Sequence, residues 1–172
     1  DPAEKLAGFF VAEVLTAAGR ETGPGDVGVC STGLIGERLP LPLILSGIER
    51  ANAELSAEGG PAAAAAIMTT DSVPKTASVT IDGFTVGGMA KGAGMLAPAL
   101  ATMLVVITTD AVVNADQADQ ALREACSLTF DRIDSDGCMS TNDTVLLLAS
   151  GASGVSPDPV AFTDAVTQVC AD

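Results

Sequence analysis

Aromatic side chains are almost absent from this chain, which restricts how its interior can be built. Phe is the only aromatic type, and aromatic residues make up 3% of the 172 residues. The hydrophobic share of 48% must therefore come almost entirely from Ala, Val, Leu, Ile, Met and Cys. A chain of this length can bury one core, and small aliphatic side chains suit helices packed closely on a sheet. We therefore expect an α/β fold of helices packed on β-sheets, with residues 1–172 forming a single domain segment.

Helical and extended patterns alternate along the sequence, as such a fold requires. Asn114 and Asp158-Pro159 are typical of helix starts, and Asp82-Gly83 predicts a two-residue hairpin turn because both residues tolerate positive φ. The stretch from Gly87 to Met95 is predicted to be a glycine-rich loop. The predicted helices are 2–19, 41–55, 62–68, 114–130 and one from 158, and the predicted extended segments are 27–30, 78–81, 84–86, 103–107 and 145–148.

The charge and the cysteine pattern exclude several classes of function. A net charge of −14 repels phosphate backbones and anionic lipid headgroups, so neither a nucleic acid nor a membrane is expected as a partner. The longest uncharged apolar run, Met95 to Ile107, is too short to cross a bilayer. We expect a cytoplasmic protein without a metal site, because none of its cysteines shows Cys-x-x-Cys spacing. These cysteines, which we expect to be core thiols, are Cys30, Cys126, Cys138 and Cys170.

Histidine is also absent. This absence is the feature of the sequence that most restricts the possible catalytic mechanisms. Ser-His and Cys-His catalysis, His-ligated zinc and imidazole acid–base steps are all removed. A Thr whose own freed α-amine accepts the proton is one remaining nucleophile, because an α-amine titrates near neutrality. Ala101-Thr102 offers such a Thr after a small residue, at the start of an apolar strand. The alternative is a Thr placed there for its β-propensity.

Four sequence stretches occur in a defined order and spacing. As a set they identify a protein family more specifically than any one stretch would. They are spread along most of the chain, from residue 30 to residue 148. They are Cys30-Ser-Thr-Gly-Leu-Ile-Gly36; Met68-Thr-Thr-Asp-Ser-Val-Pro-Lys75; Gly88-Met-Ala-Lys91-Gly-Ala-Gly-Met95 with Ala101-Thr102-Met-Leu and Thr108-Thr-Asp110; and Phe130-Asp-Arg-Ile-Asp-Ser-Asp-Gly137 with Ser140-Thr-Asn-Asp-Thr-Val-Leu-Leu-Leu148. The set resembles the bifunctional ornithine acetyltransferase/N-acetylglutamate synthase family of glutamate N-acetyltransferases, and the third stretch resembles its self-cleavage segment.

The resemblance implies a transferase of arginine biosynthesis that moves acetyl from N-acetylornithine to glutamate by a ping-pong route through acetyl-Thr102. It also implies self-cleavage between Ala101 and Thr102. Residues 1–101 would then belong to an α chain and residues 102–172 to a β chain, assembled as a heterotetramer of two α and two β chains. The implied fold is the ornithine acetyltransferase/DmpA-like self-processing fold, incomplete here because the family's chains are longer at both ends. No cofactor is implied, and the use of acetyl-CoA as a further donor stays open.

The resemblance also assigns site residues. Thr32 and Gly33 match the family's oxyanion-hole pair, for which the alternative is an ordinary Ser-Thr-Gly turn. Thr69 and Lys91 match its substrate contacts, and Thr102 would bind substrate as well as attack it. A solvated lysine is the alternative for Lys91. Asp71 and Lys75 stay outside the predicted site, because Thr-Asp-Ser-Val-Pro is also a good turn sequence.

Two other classes of function stay open. One is a self-processing aminopeptidase or hydrolase of the same fold, which passes the acyl group to water. The other is an inactive fragment. The segment around Asp134-Ser-Asp136-Gly137 resembles part of a calcium loop but lacks its bidentate Glu, so a calcium site is not predicted. The glycine-rich stretch lacks Gly-Lys-Ser/Thr, so nucleotide binding is not predicted either.

Overall fold

In the computed structural model the chain forms two compact units, residues 1–60 and 61–172. The residues that the structure describes are 2–17, 19, 21–33, 36–93, 103–133 and 142–172. The predicted cleavage site Ala101-Thr102 lies outside them, so the predicted division into two chains stays a prediction.

The first unit consists of two helices that pack on each other, α1 (Pro2–Ala17) and α2 (Leu41–Ala53). Both agree with the predicted helices. Ala7 and Ala12 are buried in α1. The predicted extended segment Val27–Cys30 is part of no strand in the described structure, although Val27 itself has an extended backbone. An extended segment becomes a strand only where another strand accepts its hydrogen bonds, and no described strand does so here.

The second unit contains a four-stranded mixed sheet with helices on one face. After α3 (Gly60–Ala66) come β1 (Lys75–Ile81), β2 (Phe84–Lys91), β3 (Leu104–Thr109), α4 (Ala115–Leu128), β4 (Thr144–Ala149) and α5 (Pro159–Ala171). The strands lie in sequence order; β1–β2 and β2–β3 are antiparallel and β3–β4 is parallel. The prediction of helices packed on a sheet is confirmed by this α+β arrangement.

The core of this unit lies between the sheet and the two long helices α4 and α5. Phe84 and Val86 of β2 and Ile107 of β3 are almost fully buried there. The rings of Phe84 and Phe162 are tilted against each other with centroids 6.1 Å apart, a favourable aromatic arrangement. As the sequence predicts, the few Phe residues therefore supplement a core built largely from Ala, Val and Ile.

Local signals in the sequence correctly predict where the main elements begin and turn. Asp82 and Gly83 have φ of 48° and 86°, as the predicted hairpin turn requires. Asn114 and Gln117 form a capping box at the start of α4. The Asp158 carboxylate accepts the N–H groups of Val160 and Ala161 at the start of α5. Each of these signals acts within a few residues, which is why sequence alone detects it.

The prediction of a glycine-rich loop after Val86 is wrong for its first five residues, because β2 continues to Lys91. Gly87 and Gly88 are paired with strands on both sides. A Cβ at Gly88 would lie 3.2 Å from Cγ1 of Val169, which is tighter than ordinary contact. The missing side chain therefore lets α5 pack closely on the sheet, and this tertiary contact explains the glycine.

We predict that Gly88→Val lowers the free energy of unfolding by about 1–3 kcal/mol, because the new side chain would overpack the contact with α5. Gly87→Val is the matched control, since a Cβ at Gly87 meets its nearest atoms at an ordinary 3.7 Å. Chemical denaturation of both variants measures the effect. Equal stability of the two variants would contradict the proposed reason for Gly88.

Candidate active site

The predicted site residues fall into three groups according to where they lie in the chain. Ala101 and Thr102 lie outside the described residues. Thr32 and Gly33 belong to the first unit, whereas Thr69 and Lys91 belong to the second. Within the second unit, a carboxylate that the sequence analysis left out of the site brings the segments of Thr69 and Lys91 together.

Lys91 is the last residue of β2 and is only 1% exposed. The alternative of a solvated lysine is therefore wrong. Side chains alternate along a strand, so Lys91 lies on the face opposite to Phe84 and Val86 and away from α5. Its partner across the strand pair is Leu104, which is 7% exposed. A buried ammonium group is costly unless a ligand or another charge compensates it.

Asp71 holds the segment before β1 against the end of β2. Its side chain is completely buried. One carboxylate oxygen, Oδ1, accepts the N–H of Gly92 at 2.7 Å and also pairs with the ammonium of Lys75. The other oxygen, Oδ2, accepts the N–H of Thr69 at 3.3 Å. Asp71 thus joins the backbone of Thr69 to the residue that follows Lys91.

The surroundings of Asp71 keep its carboxyl ionised. Burial by itself raises the pKa, whereas the hydrogen bonds from Lys75, Gly92 and Thr69 and the charge of Lys75 lower it, and the resulting pKa is about 2. The charge-stabilising donors therefore outweigh the cost of burial. Asp71 is a stably charged anchor in the physiological range and is not a proton donor.

The carboxylate of Asp71 is paired with Lys75, and Lys91 takes no part in that pair. Among the described residues the salt bridges join Lys75 to Asp71 and Arg123 to Asp119. The Arg123–Asp119 pair lies on the exposed surface of α4. The buried ammonium of Lys91 is therefore without a carboxylate partner in the described part of the chain.

The described residues that follow Thr102 in sequence are firmly held beside Lys91. Met103 donates its N–H to Oδ1 of Asp143 at 2.9 Å, and its carbonyl accepts the N–H of Thr144 at 3.0 Å. The next residue, Leu104, begins β3 and pairs with Lys91. The sequence analysis did not identify this role of Asp143, because its bonding partner is 40 residues away.

Thr32 and Gly33 lie in an irregular segment of the first unit, residues 27–33. Thr32 is partly buried and Gly33 is exposed. A Cβ at Gly33 would meet Cδ2 of Leu39 at 3.7 Å, which is an ordinary contact. Local space therefore does not require a glycine at this position, and the assignment of these residues to an oxyanion hole stays a prediction.

Burial disfavours the described cysteine thiols as alternative nucleophiles. Cys30, Cys126 and Cys170 are free, and Cys138 lies outside the described residues. Burial, with a smaller contribution from Cys126, raises the pKa of Cys170 to about 12. Burial likewise raises the pKa of Cys30 and Cys126. Since the thiolate is the reactive form of cysteine, the raised pKa values make these three side chains poorer nucleophiles.

The described ranges contain no candidate metal site and no candidate membrane span. His, Cys, Asp and Glu side chains within them form no group of three or more that would hold a metal ion. None of the helices described there is both long enough and apolar enough to cross a membrane.

A family model and several known proteins similar to this chain point to one family. The model of the ArgJ family matches residues 8–172. The arginine biosynthesis bifunctional protein ArgJ of Streptomyces coelicolor is 66% identical, with 88% of this chain and 39% of that protein covered. The protein of the same name from Bifidobacterium longum is 56% identical, with 98% of this chain and 41% of that protein covered. This chain therefore spans less than half the length of these relatives.

A solved structure is also similar, that of ornithine acetyltransferase complexed with ornithine from Mycobacterium tuberculosis. It is 50% identical in sequence, and the superposition has a TM-score of 0.54. The match covers 57% of this chain and 52% of that chain.

We predict that Asp71 stabilises the fold above about pH 4 and that this stabilisation is lost as the pH falls through about 2. The reason is that the folded pKa of about 2 lies below the ordinary value of 3.8, a difference on the order of 2 kcal/mol. Chemical denaturation at several pH values should show wild type and Asp71→Asn converging at low pH. The exposed carboxylate of Asp119 supplies the control, Asp119→Asn. A gap between wild type and Asp71→Asn that does not depend on pH would contradict the assignment.

Proposed function

This chain belongs to the ArgJ family, and on that premise we propose that it forms part of an acetyltransferase of arginine biosynthesis that moves acetyl from N-acetylornithine to glutamate. The observation that carries the proposal is the buried ammonium of Lys91. It has no carboxylate partner among the described residues and lies beside the strand that follows Thr102 in sequence. Both proposed substrates carry a carboxylate that would compensate this charge.

The proposed reaction has two steps. In the first, the hydroxyl oxygen of Thr102 attacks the acetyl carbonyl of N-acetylornithine, and the hydroxyl proton passes to the α-amine of Thr102. The C–N bond of the substrate then breaks, ornithine leaves with that proton, and the acetyl group remains as an ester on Thr102. In the second step the amine of glutamate attacks this ester, so that N-acetylglutamate forms and Thr102 regains its hydroxyl proton.

The α-amine of Thr102 exists only after the peptide bond to Ala101 is cut, so the mechanism needs self-cleavage first. The sequence resemblance supports this step. The described structure supports a firm position for the residues that follow, because Asp143 and Thr144 hold both the N–H and the carbonyl of Met103. A fixed position of the attacking group lowers the entropic cost of reaching the transition state.

Thr32 and Gly33 are proposed to stabilise the negative charge on the acetyl oxygen during both steps. A hydroxyl and a backbone N–H suit this role, and the loss of one such donor typically costs a factor of about 10²–10³ in rate. Support for this role comes from the sequence resemblance in the stretch Cys30 to Gly36. The similar solved structure is a complex with ornithine, which supports a site for this amino acid.

Further parts of the proposal rest on the relatives. Their name includes the word bifunctional, which supports a second activity, for which we propose acetylation of glutamate from acetyl-CoA. We also propose a cytoplasmic heterotetramer of two α and two β chains. A hydrolase of the same fold would release acetate from N-acetylornithine at the same rate with or without glutamate, whereas the transferase requires glutamate for turnover.

We predict that Thr102→Ala leaves a single uncleaved chain and abolishes acetyl transfer in the complete natural protein. Without the hydroxyl, no atom of residue 102 can attack the carbonyl of Ala101 or the acetyl group. Thr102→Ser should retain partial cleavage. Intact-mass measurement detects the two chains, and Thr108→Ala, at an exposed position of β3, is the control. Cleavage of the Thr102→Ala protein at this bond would contradict the assignment of the nucleophile.

We predict that Lys91→Met raises KM for both N-acetylornithine and glutamate by about tenfold or more, as expected for the loss of a hydrogen bond to a charged group. The melting temperature should stay unchanged or increase, because an apolar side chain replaces a buried charge. Steady-state kinetics and thermal denaturation measure the two effects. Lys5→Met changes an exposed lysine of α1 and serves as the control. Unchanged KM values for both substrates would contradict a role of Lys91 in binding.

A further inference from the structure

Asp71 joins two segments that the proposed function places around the substrate. Its Oδ2 atom accepts the N–H of Thr69, and its Oδ1 atom accepts the N–H of Gly92, directly after Lys91. The two amides belong to residues 23 positions apart in sequence, since 92 − 69 = 23. One carboxylate therefore fixes the distance between the backbone of Thr69 and the end of β2.

The geometry of this link leaves the carboxylate little freedom. The side chain of Asp71 is completely buried, so water does not compete for its oxygens. Both amide donors are backbone groups, which cannot rotate away as a side chain can. Gly92 has a φ of 150°, in the region that favours glycine. The chain thus leaves the end of β2 in a conformation that directs the N–H of Gly92 to Asp71.

We infer that Asp71 is a positioning residue of the active site, holding Thr69 and Lys91 at the separation that the carboxylate-bearing substrate requires. This inference rests on the proposed function. Asp71 acts through the backbone, so the side chain of Thr69, which is exposed, stays free to contact a ligand. Lys75 compensates the charge of Asp71, and the ammonium of Lys91 is left for the substrate.

Asp71→Asn tests the inference, because the carboxamide has only one acceptor oxygen. Whichever way the amide is turned, the NH₂ group replaces one oxygen and releases either Thr69 or Gly92. We expect KM for N-acetylornithine to rise by about tenfold, with a much smaller change in kcat, as for a loss of substrate binding. Asp119→Asn is the matched control, since Asp119 is likewise paired with a cation four residues later but is exposed.

Lys75→Gln separates positioning from charge compensation. It removes the cation but leaves both carboxylate oxygens to accept the N–H groups of Thr69 and Gly92. KM should therefore rise less in Lys75→Gln than in Asp71→Asn. A purely structural role would lower the melting temperature of Asp71→Asn and leave KM of the folded enzyme at the wild-type value, and this result would overturn the inference.

Wild-type protein provides a test that does not depend on the folding of a variant. The amides of Thr69 and Gly92 share one acceptor residue, so their hydrogen exchange should slow together when ornithine binds. Protection of Gly92 without any change at Thr69 would overturn the inference. A separate result would contradict the proposed function. In that result the wild-type enzyme transfers no acetyl from N-acetylornithine to glutamate, although the exchange of both amides still slows when ornithine binds.

Discussion

The alternation of side chains along β2 separates the core of the second unit from its candidate site. Even-numbered residues from Phe84 to Gly88 face α5, and Gly88 carries no side chain because Val169 packs against it. Lys91 is an odd number of residues from Phe84 and therefore lies on the other face. If β2 shifted by one residue, the ammonium would move into the aliphatic core. The close packing of α5 on the sheet thus also determines where Lys91 lies.

Among the charged side chains near the end of β2, Asp71 and Lys75 are paired with each other, whereas Lys91 is outside this pair. Burial alone would raise the pKa of Asp71. The three donors to its carboxylate and the charge of Lys75 outweigh that effect, and the resulting pKa is about 2. Lys75, which is exposed, compensates that carboxylate, and Lys91 is buried outside the pair. No described salt bridge includes Lys91, and proteins keep buried charges without a paired opposite charge mainly where they function. The proposed contact with a substrate carboxylate would give the chain a reason to retain this charge.

Sequence analysis predicted those parts of the fold that depend on neighbouring residues. The Asp82-Gly83 turn, the Asn114 cap and the Asp158 cap each act within a few positions, and all three are confirmed. The length of β2 and the burial of Lys91 depend on strands and helices far away in sequence, and both were missed. The bonds from Asp71 to Gly92 and from Asp143 to Met103 were missed for the same reason, since these partners are 21 and 40 residues away.

In the proposed function, the ammonium of Lys91 binds the carboxylate of the substrate. The most direct test compares kcat/KM for N-acetylornithine with that for N-acetylputrescine, which lacks the carboxylate, in wild type and in Lys91→Met. We predict that loss of the carboxylate lowers kcat/KM of wild type by about tenfold or more and has little effect on Lys91→Met, because the two losses remove the same interaction. An equal decrease in both enzymes would contradict the claim.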